Sequence, residues 1–245
     1  MPGSDLPRGE EKALVVRSMF DRIAPRYDLV NRLMTFGLDQ GWRRRTIGLL
    51  ELAPPSLVLD LACGTGDFAR ALASSGFAAV GADVSFGMLA AAHAGSPPLV
   101  EADGARLPFG DATLDGIVSG FALRNFADLR GVLTECGRVL RPGGRLALLE
   151  VDTPTSPLLH LGHRVWFNVA VPRLGALLSD KDAYRYLPRS VAYLPSRADL
   201  LADVTAAGFT DARHHELSGG ITQVVTATRR GAAALSAGAP RTGRR

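Results

Sequence analysis

Apolar positions recur at helical spacing near the start of the chain and at strand spacing beyond it. From Glu10 to Phe20, Ala13, Leu14, Val16 and Phe20 form a helical stripe. An irregular Ala24-Pro25-Arg26-Tyr27-Asp28 segment follows, and a second helical pattern runs from about Leu29 to Leu52. These predict an N-terminal helical arm. Leu57 to Leu61 then reads as a buried strand, and Asp67 to Ser75 as a helix closed by Gly76. The alternation continues: a strand at Ala78 to Ala82, a helix at Met88 to His93, strands at Pro98 to Glu101 and Asp115 to Ser119, and a helix at Leu129 to Leu140. After the Arg141-Pro142-Gly143-Gly144 turn a fifth strand is expected at Arg145 to Val151. A helix at Arg197 to Ala207, ended by Gly208, leads into a terminal strand pair, Asp211 to Leu217 and Thr222 to Thr228. Strands alternating with helices in this way predict a parallel sheet covered by helices on both faces.

One stretch breaks the rhythm. Pro157 to Ser179 is apolar, carries Trp166 and Phe167, and is interrupted by Pro172, which predicts one or two cap helices over the carboxyl edge of the sheet. The expected organisation is a disordered N-terminus over 1–9, one domain over 10–228 with a cap insertion at about 155–195, and a disordered basic tail over 229–245.

Composition narrows the class. At 245 residues and 47% hydrophobic content the chain can build one sizeable core, but not two full-sized domains. The formal charge of +4 resides in the tail, where Arg229, Arg230, Arg241, Arg244 and Arg245 stand without an acid. The rest of the chain is near neutral, so nucleic acid is not expected as a partner. Cys63 and Cys136 cannot form a disulfide framework and have no neighbours at metal-ligand spacing, which fits a reducing cytoplasm. His160 and His163 share a helix face without a carboxylate third ligand, so no metal is expected. The N-terminus lacks the apolar core of a signal peptide, and no run reaches the length of a spanning helix.

In open α/β sheets, ligands lie beyond the carboxyl ends of the strands where strand order reverses. The first such turn is Gly64-Thr65-Gly66, whose glycines let backbone N–H groups approach a ligand ahead of a helix N-terminus. With Ala69 the spacing is G-x-G-x-x-A, which fits a dinucleotide fingerprint equally well. Asp83, closing the second strand, suits ribose hydroxyls in either case. Asp103-Gly104 separates the two: a carboxylate there can accept the adenine amino proton, with Leu107-Pro108-Phe109 as apolar cover. Otherwise Asp103 would be a helix N-cap.

The chain resembles the class I methyltransferases, with VLDLACGTGDFA as first motif, GADVS as acidic loop, EADGARLPF as adenine loop and LRPGGRLALLE as the strand-five motif. More narrowly it is similar to the ubiquinone/menaquinone C-methyltransferase family. That family's first signature matches Tyr27-Asp28-x-x-Asn31, Gly37 and Trp42, and its second matches Arg138 to Gly144 and Glu150. Phe121 to Phe126, Pro172 to Gly175, Tyr184 to Val191 and Ser218 to Gly220 extend the similarity over about residues 12–228. Four positions depart from the pattern: Thr35 replaces serine, Asp39 histidine, Gly120 serine and Asp152 serine.

The resemblance implies an α/β class I methyltransferase fold: a Rossmann-like sheet of seven strands, the last pair antiparallel, with the helical arm and helical cap. It implies S-adenosyl-L-methionine as cofactor, held by Asp60, Gly64, Thr65, Gly66, Asp83, Asp103, Gly104 and Gly120. It implies C-methylation of a demethylmenaquinol-like prenylated quinol in menaquinone biosynthesis, the alternative being another phenolic or polyketide-like small molecule. Arg124 is then expected to stabilise the developing phenolate, Asn125 to hold the second ring oxygen, and Tyr27 to orient the acceptor. The alternative for Arg124 is an ion pair with Asp128; for Asp28 it is helix capping rather than proton acceptance. Leu158 to Leu178 is expected either to line a groove for the prenyl tail, with peripheral membrane contact, or to be a buried helix pair. The expected location is the cytoplasm, peripheral to the membrane, and a homodimer completes the expected partners.

Overall fold

The computed structural model describes residues 7–152, 154, 156, 186 and 189–231. The arm comprises α1 (Gly9–Ile23), a 3-10 turn (Ala24–Arg26), α2 (Tyr27–Met34) and α3 (Leu38–Leu49). Then follow β1 (Leu57–Leu61), α4 (Asp67–Ser74), β2 (Ala78–Asp83), α5 (Phe86–Ala90), β3 (Leu99–Glu101) and β4 (Leu114–Gly120). A 3-10 turn (Leu123–Asn125), α6 (Leu129–Val139), β5 (Leu140–Val151), a short turn (Val191–Tyr193), α7 (Arg197–Ala206), β6 (Phe209–Leu217) and β7 (Thr222–Arg229) complete the described chain. The expected cap helices, with Trp166, Phe167, His160 and His163, lie outside the described residues.

The sheet order is β3-β2-β1-β4-β5-β7-β6. Strands β1 to β5 pair in parallel, and β7 runs antiparallel to both β5 and β6. The seven-stranded sheet with its antiparallel last pair is the architecture expected from the sequence. Chain order reverses direction between β1 and β4, and the register there sets Leu61 level with Ala82 on one side and Ser119 on the other. The segments leaving β1, β2 and β4 therefore emerge side by side, and a ligand crevice opens at that edge.

Burial follows the two-residue period of the strands. Leu59, Leu61, Ile117, Leu146 and Leu148 face α6 and α7, packing on Leu133, Cys136, Leu200 and Val204. Val58, Val118, Ala147 and Leu149 face α3 and α4, packing on Trp42, Leu50, Phe68 and Leu72. A third, smaller cluster of Met19, Ile23 and Val30, with Phe20, Tyr27 and Tyr186 against it, holds the arm together. Among the described residues no helix is long and apolar enough to cross a membrane.

Three expectations of local structure are corrected. The helical pattern from Leu29 to Leu52 is two helices, broken where Phe36 and Gly37 take φ of +52° and +73°. The Gly37 N–H returns to the Arg32 carbonyl at 2.9 Å, a left-handed helix stop that apolar periodicity cannot register because the stripe resumes in phase afterwards. Likewise α5 starts at Phe86, with Ser85 as its N-cap accepting the Met88 N–H, and ends at Ala90 rather than His93. The fifth strand pairs from Leu140, ahead of the expected Arg145, and its register against β4 slips between the Leu114 and Gly116 pairings to accommodate Pro142-Gly143-Gly144.

Candidate active site

Two adjoining cavities occupy the crevice. One is walled by the arm (Val16, Phe20, Tyr27, Arg43), the first glycine turn (Asp60, Ala62 to Thr65, Asp67 and Phe68), Asp83, and the end of β4 (Gly120 to Ala122, Asn125). The other lies under Ala102, Asp103, Gly104 and Ala105, with Phe126 and Val132 on its far side. Val16, Ala62, Asp83, Val84, Asn125 and Phe126 border both. The residues expected to hold a cofactor are thus brought to one edge of the sheet.

Their hydrogen bonds show how the turn is built. Gly64 and Gly66 take φ of +55° and +82°, and the first of these points its N–H at Asp83 Oδ2 at 2.8 Å. A Cβ on Gly64 would be strained in that conformation and would meet the Met88 methyl at 3.3 Å. Asp83 also accepts the Ser85 N–H at 2.8 Å, and burial pushes its carboxyl up despite those donors. Asp60, 1% exposed, accepts the Ala69 N–H at 2.9 Å in the first turn of α4. Burial raises its pKa to about 7, with the Arg43 charge pulling it back. Cys63 beside them is pushed far up by burial and the neighbouring carboxylates, so its thiol is inert.

Asp103 is exposed and accepts the Ala105 N–H at 2.9 Å within a turn closed by a bridge to Arg106. No helix follows, so the N-cap alternative falls and the carboxylate borders the second cavity. Gly104 approaches Phe126 so closely that a Cβ would lie 3.2 Å from its ring.

The arm clasps the turn. Thr65 Oγ1 donates to Asp28 Oδ1 at 2.6 Å, and His93 Nε2 lies 3.1 Å from Asp28 Oδ2. Asp28 lies in the first turn of α2 and reaches across to this turn, which replaces the capping alternative. Tyr27 faces the first cavity; burial pushes its hydroxyl up, with Arg43 and Arg124 lowering it. Arg124, 7% exposed, pairs with Glu150, and its Nε donates to Ser190 Oγ at 3.1 Å. Its carboxylate partner is therefore Glu150, whereas Asp128 caps α6 by accepting the Gly131 N–H at 2.9 Å. Asn125 borders both cavities, and its buried Oδ1 has no partner among the described residues.

Two residues of the site carried no signal in the sequence reading. Arg43 lines the first cavity and is 7% exposed. Lys12, 5% exposed, donates to the Phe126 carbonyl at 2.7 Å and lies over the Tyr193 ring, closing α1 onto the adenine side; burial lowers its pKa to about 8. An amphipathic count sees both as ordinary helix-surface cations.

S-adenosyl-L-methionine fits these residues. A glycine cradle that a Cβ would fill lies before a helix N-terminus, Asp83 borders both cavities where ribose would sit, and Asn125, whose buried Oδ1 has no partner among the described residues, borders the same space. Among the described residues no cluster suited to a metal ion is present.

Solved methyltransferases share the fold. A phosphoethanolamine N-methyltransferase 2 of Haemonchus contortus, in complex with S-adenosyl-L-methionine, superposes with a TM-score of 0.64 at 14% identity, covering 88% of this chain and 60% of that one. A SAM-dependent methyltransferase of Aquifex aeolicus gives 0.58 at 15%, covering 82% and 97%. Sequence relatives are nearer. The demethylmenaquinone methyltransferase of Mycolicibacterium vanbaalenii is 44% identical over 215 residues, 87% of this chain and 94% of that protein. The ubiquinone/menaquinone biosynthesis C-methyltransferase UbiE of Syntrophotalea carbinolica is 42% identical over 221 residues, 87% and 93%. The model of the ubiE/COQ5 methyltransferase family matches residues 8–229, and with a crevice built from that family's motifs the chain belongs to the ubiE/COQ5 methyltransferases.

Proposed function

We propose that this chain transfers a methyl group from S-adenosyl-L-methionine to a ring carbon of a demethylmenaquinol-like prenylated quinol, in menaquinone biosynthesis. The observation that carries this reading is the meeting of Tyr27 and Asn125, each from a segment matching the quinone family, on the wall of the cavity that holds the glycine turn. Relatives at 42–44% identity carry quinone-methyltransferase names over nearly their whole length.

The bound cofactor supplies a methyl carbon already activated as a sulfonium, so the chain has to align the acceptor, exclude water and steady charge. An aromatic carbon becomes nucleophilic as the neighbouring phenol loses its proton. Arg124 keeps its charge throughout; held by Glu150 and Ser190, it places a fixed cation near the Tyr27 hydroxyl, where a phenolate would be stabilised. The free Oδ1 of Asn125 accepts the second ring hydroxyl. Asp60, Gly64, Thr65, Gly66, Asp83, Asp103, Gly104 and the backbone at Gly120 hold the cofactor in this reading.

The chain is expected to work from the cytoplasm against the bilayer that carries such a quinol. Leu29, Leu33, Phe36 and Leu38, 45–70% exposed beside the site, support contact there, flanked by the exposed Arg26 and Arg32.

The test is transfer of labelled methyl to demethylmenaquinol. Wild-type protein should produce menaquinol, and Arg124→Ala should lose roughly a hundredfold in kcat while its affinity for S-adenosyl-L-methionine stays within about twofold. Methylation of simple phenols or polyketides but not of demethylmenaquinol would sink the proposal. Equal losses in kcat and cofactor affinity would make Arg124 structural.

A further inference from the structure

The first cavity gathers the carboxylates Asp60, Asp67 and Asp83 but a single cationic wall residue among those described, Arg43. All three carboxylates are engaged: Asp60 accepts the Ala69 N–H, Asp67 pairs with Arg70, and Asp83 accepts two backbone N–H groups. Arg43 is not satisfied in the same way. Its Nη2 lies 3.7 Å from Asp39 Oδ2, an ion pair too long for a hydrogen bond, and its buried Nε has no partner. The guanidinium lies 5.6 Å and 5.9 Å from the Phe68 and Phe121 ring centres. A desolvated guanidinium with unused donors calls for an anion.

Where that anion lies follows from the two cavities. The adenine side is under Asp103-Gly104, Asp83 borders both spaces, and Arg43 belongs only to the first, with Thr65, Phe68 and Gly120. A ligand with adenine at one end and ribose at Asp83 brings its amino-acid end to Arg43. We propose that Arg43 binds the α-carboxylate of S-adenosyl-L-methionine, and that Asp39 is the positioning residue that aims it.

Two departures from the family pattern, Asp39 and Gly120, then have one cause. Thr35 Oγ1 donates to Asp39 Oδ1 at 3.0 Å, fixing the carboxylate that faces Arg43. A Cβ at Gly120 would lie 3.3 Å from Arg43 Nη1 and 3.2 Å from the Phe68 ring, so glycine leaves the guanidinium its place. Aspartate and glycine flank the arginine, with Thr35 holding the aspartate, so that a fixed acid stands where the pattern has histidine. The fourth departure, Asp152, lies elsewhere and pairs with Arg197 and His214.

The inference rests on the cofactor and on no particular acceptor, so its test uses binding alone. Calorimetric titration of the full chain compares S-adenosyl-L-methionine with its decarboxylated analogue. Wild-type protein should bind the former at least about tenfold more tightly, the ratio expected of one charge-assisted contact. Arg43→Met should erase that preference by weakening only the carboxylated ligand. Asp39→Asn should weaken S-adenosyl-L-methionine severalfold, and should do nothing further in the Arg43→Met background. Equal wild-type affinity for the two ligands overturns the proposal even if the variants fail to fold. So does an Arg43→Met protein that binds both as wild type does while its KM for the acceptor rises, because the guanidinium would then serve the acceptor.

Discussion

Asp60 shows what one residue gains from its place in the fold. In sequence it is a carboxylate in the first glycine motif; in the structure it is fully enclosed, and burial holds its pKa near 7. A raised carboxyl keeps its proton below that value, and an ammonium brought beside it favours the charged form and lowers the pKa. Binding of S-adenosyl-L-methionine at pH 6 is therefore expected to release a proton, and affinity should climb as pH rises towards 7 and then level off. Calorimetry in buffers of different ionisation enthalpy measures the release, and Asp60→Asn should abolish it. If wild type and variant show the same buffer dependence, the proton comes from another group. Asp83 and the glycines were legible because motif spacing encodes them. Arg43 was not, because an orphaned donor exists only once the surrounding groups are in place.

At the scale of elements, the period of apolar residues located β1 to β4, β6, β7 and α4, α6 and α7 to within a few residues. It failed where the chain stops in a left-handed turn, at Phe36-Gly37, and where β5 bulges around Pro142-Gly143-Gly144. In both places backbone conformation changes without disturbing the apolar stripe. The packing of α6 on α7 was equally unreadable. A Cβ on Gly137 would lie 2.9 Å from the Ala207 carbonyl oxygen, a backbone atom that cannot swing aside. Gly137→Ala is expected to cost about 1–3 kcal/mol, lowering the urea midpoint with the slope unchanged. An unchanged midpoint would mean that the helices separate freely.

Across the whole molecule, the arm is both part of the site and its outer wall. Lys12 on the Phe126 carbonyl, Asp21 on the Gly87 N–H at 2.9 Å and Arg17 on Glu101 at 2.5 Å pin α1 across the segment after β4, the start of α5 and the end of β3. The apolar stripe of Leu29, Leu33, Phe36 and Leu38 stays on the outside. If that stripe meets the bilayer, wild-type protein should float with phosphatidylglycerol liposomes and the Leu29→Glu, Leu33→Glu double variant should not. Turnover of a short-chain, water-soluble quinol should be the same in both. Flotation by both proteins would move the contact to another surface.

By itself the sequence determined the fold class, the glycine turn and the acids at the ends of β1, β2 and β3, because each is written in a local period or spacing. Tertiary structure alone decided which donor faces which carboxylate: Arg124 with Glu150 rather than Asp128, Thr65 with Asp28, and Arg43 with Asp39 at the edge of the cavity. Those pairings depend on distances between residues far apart in the chain or on which side of a helix faces the crevice. They are fixed only when the sheet order brings the ends of β1 and β4 together beneath the arm.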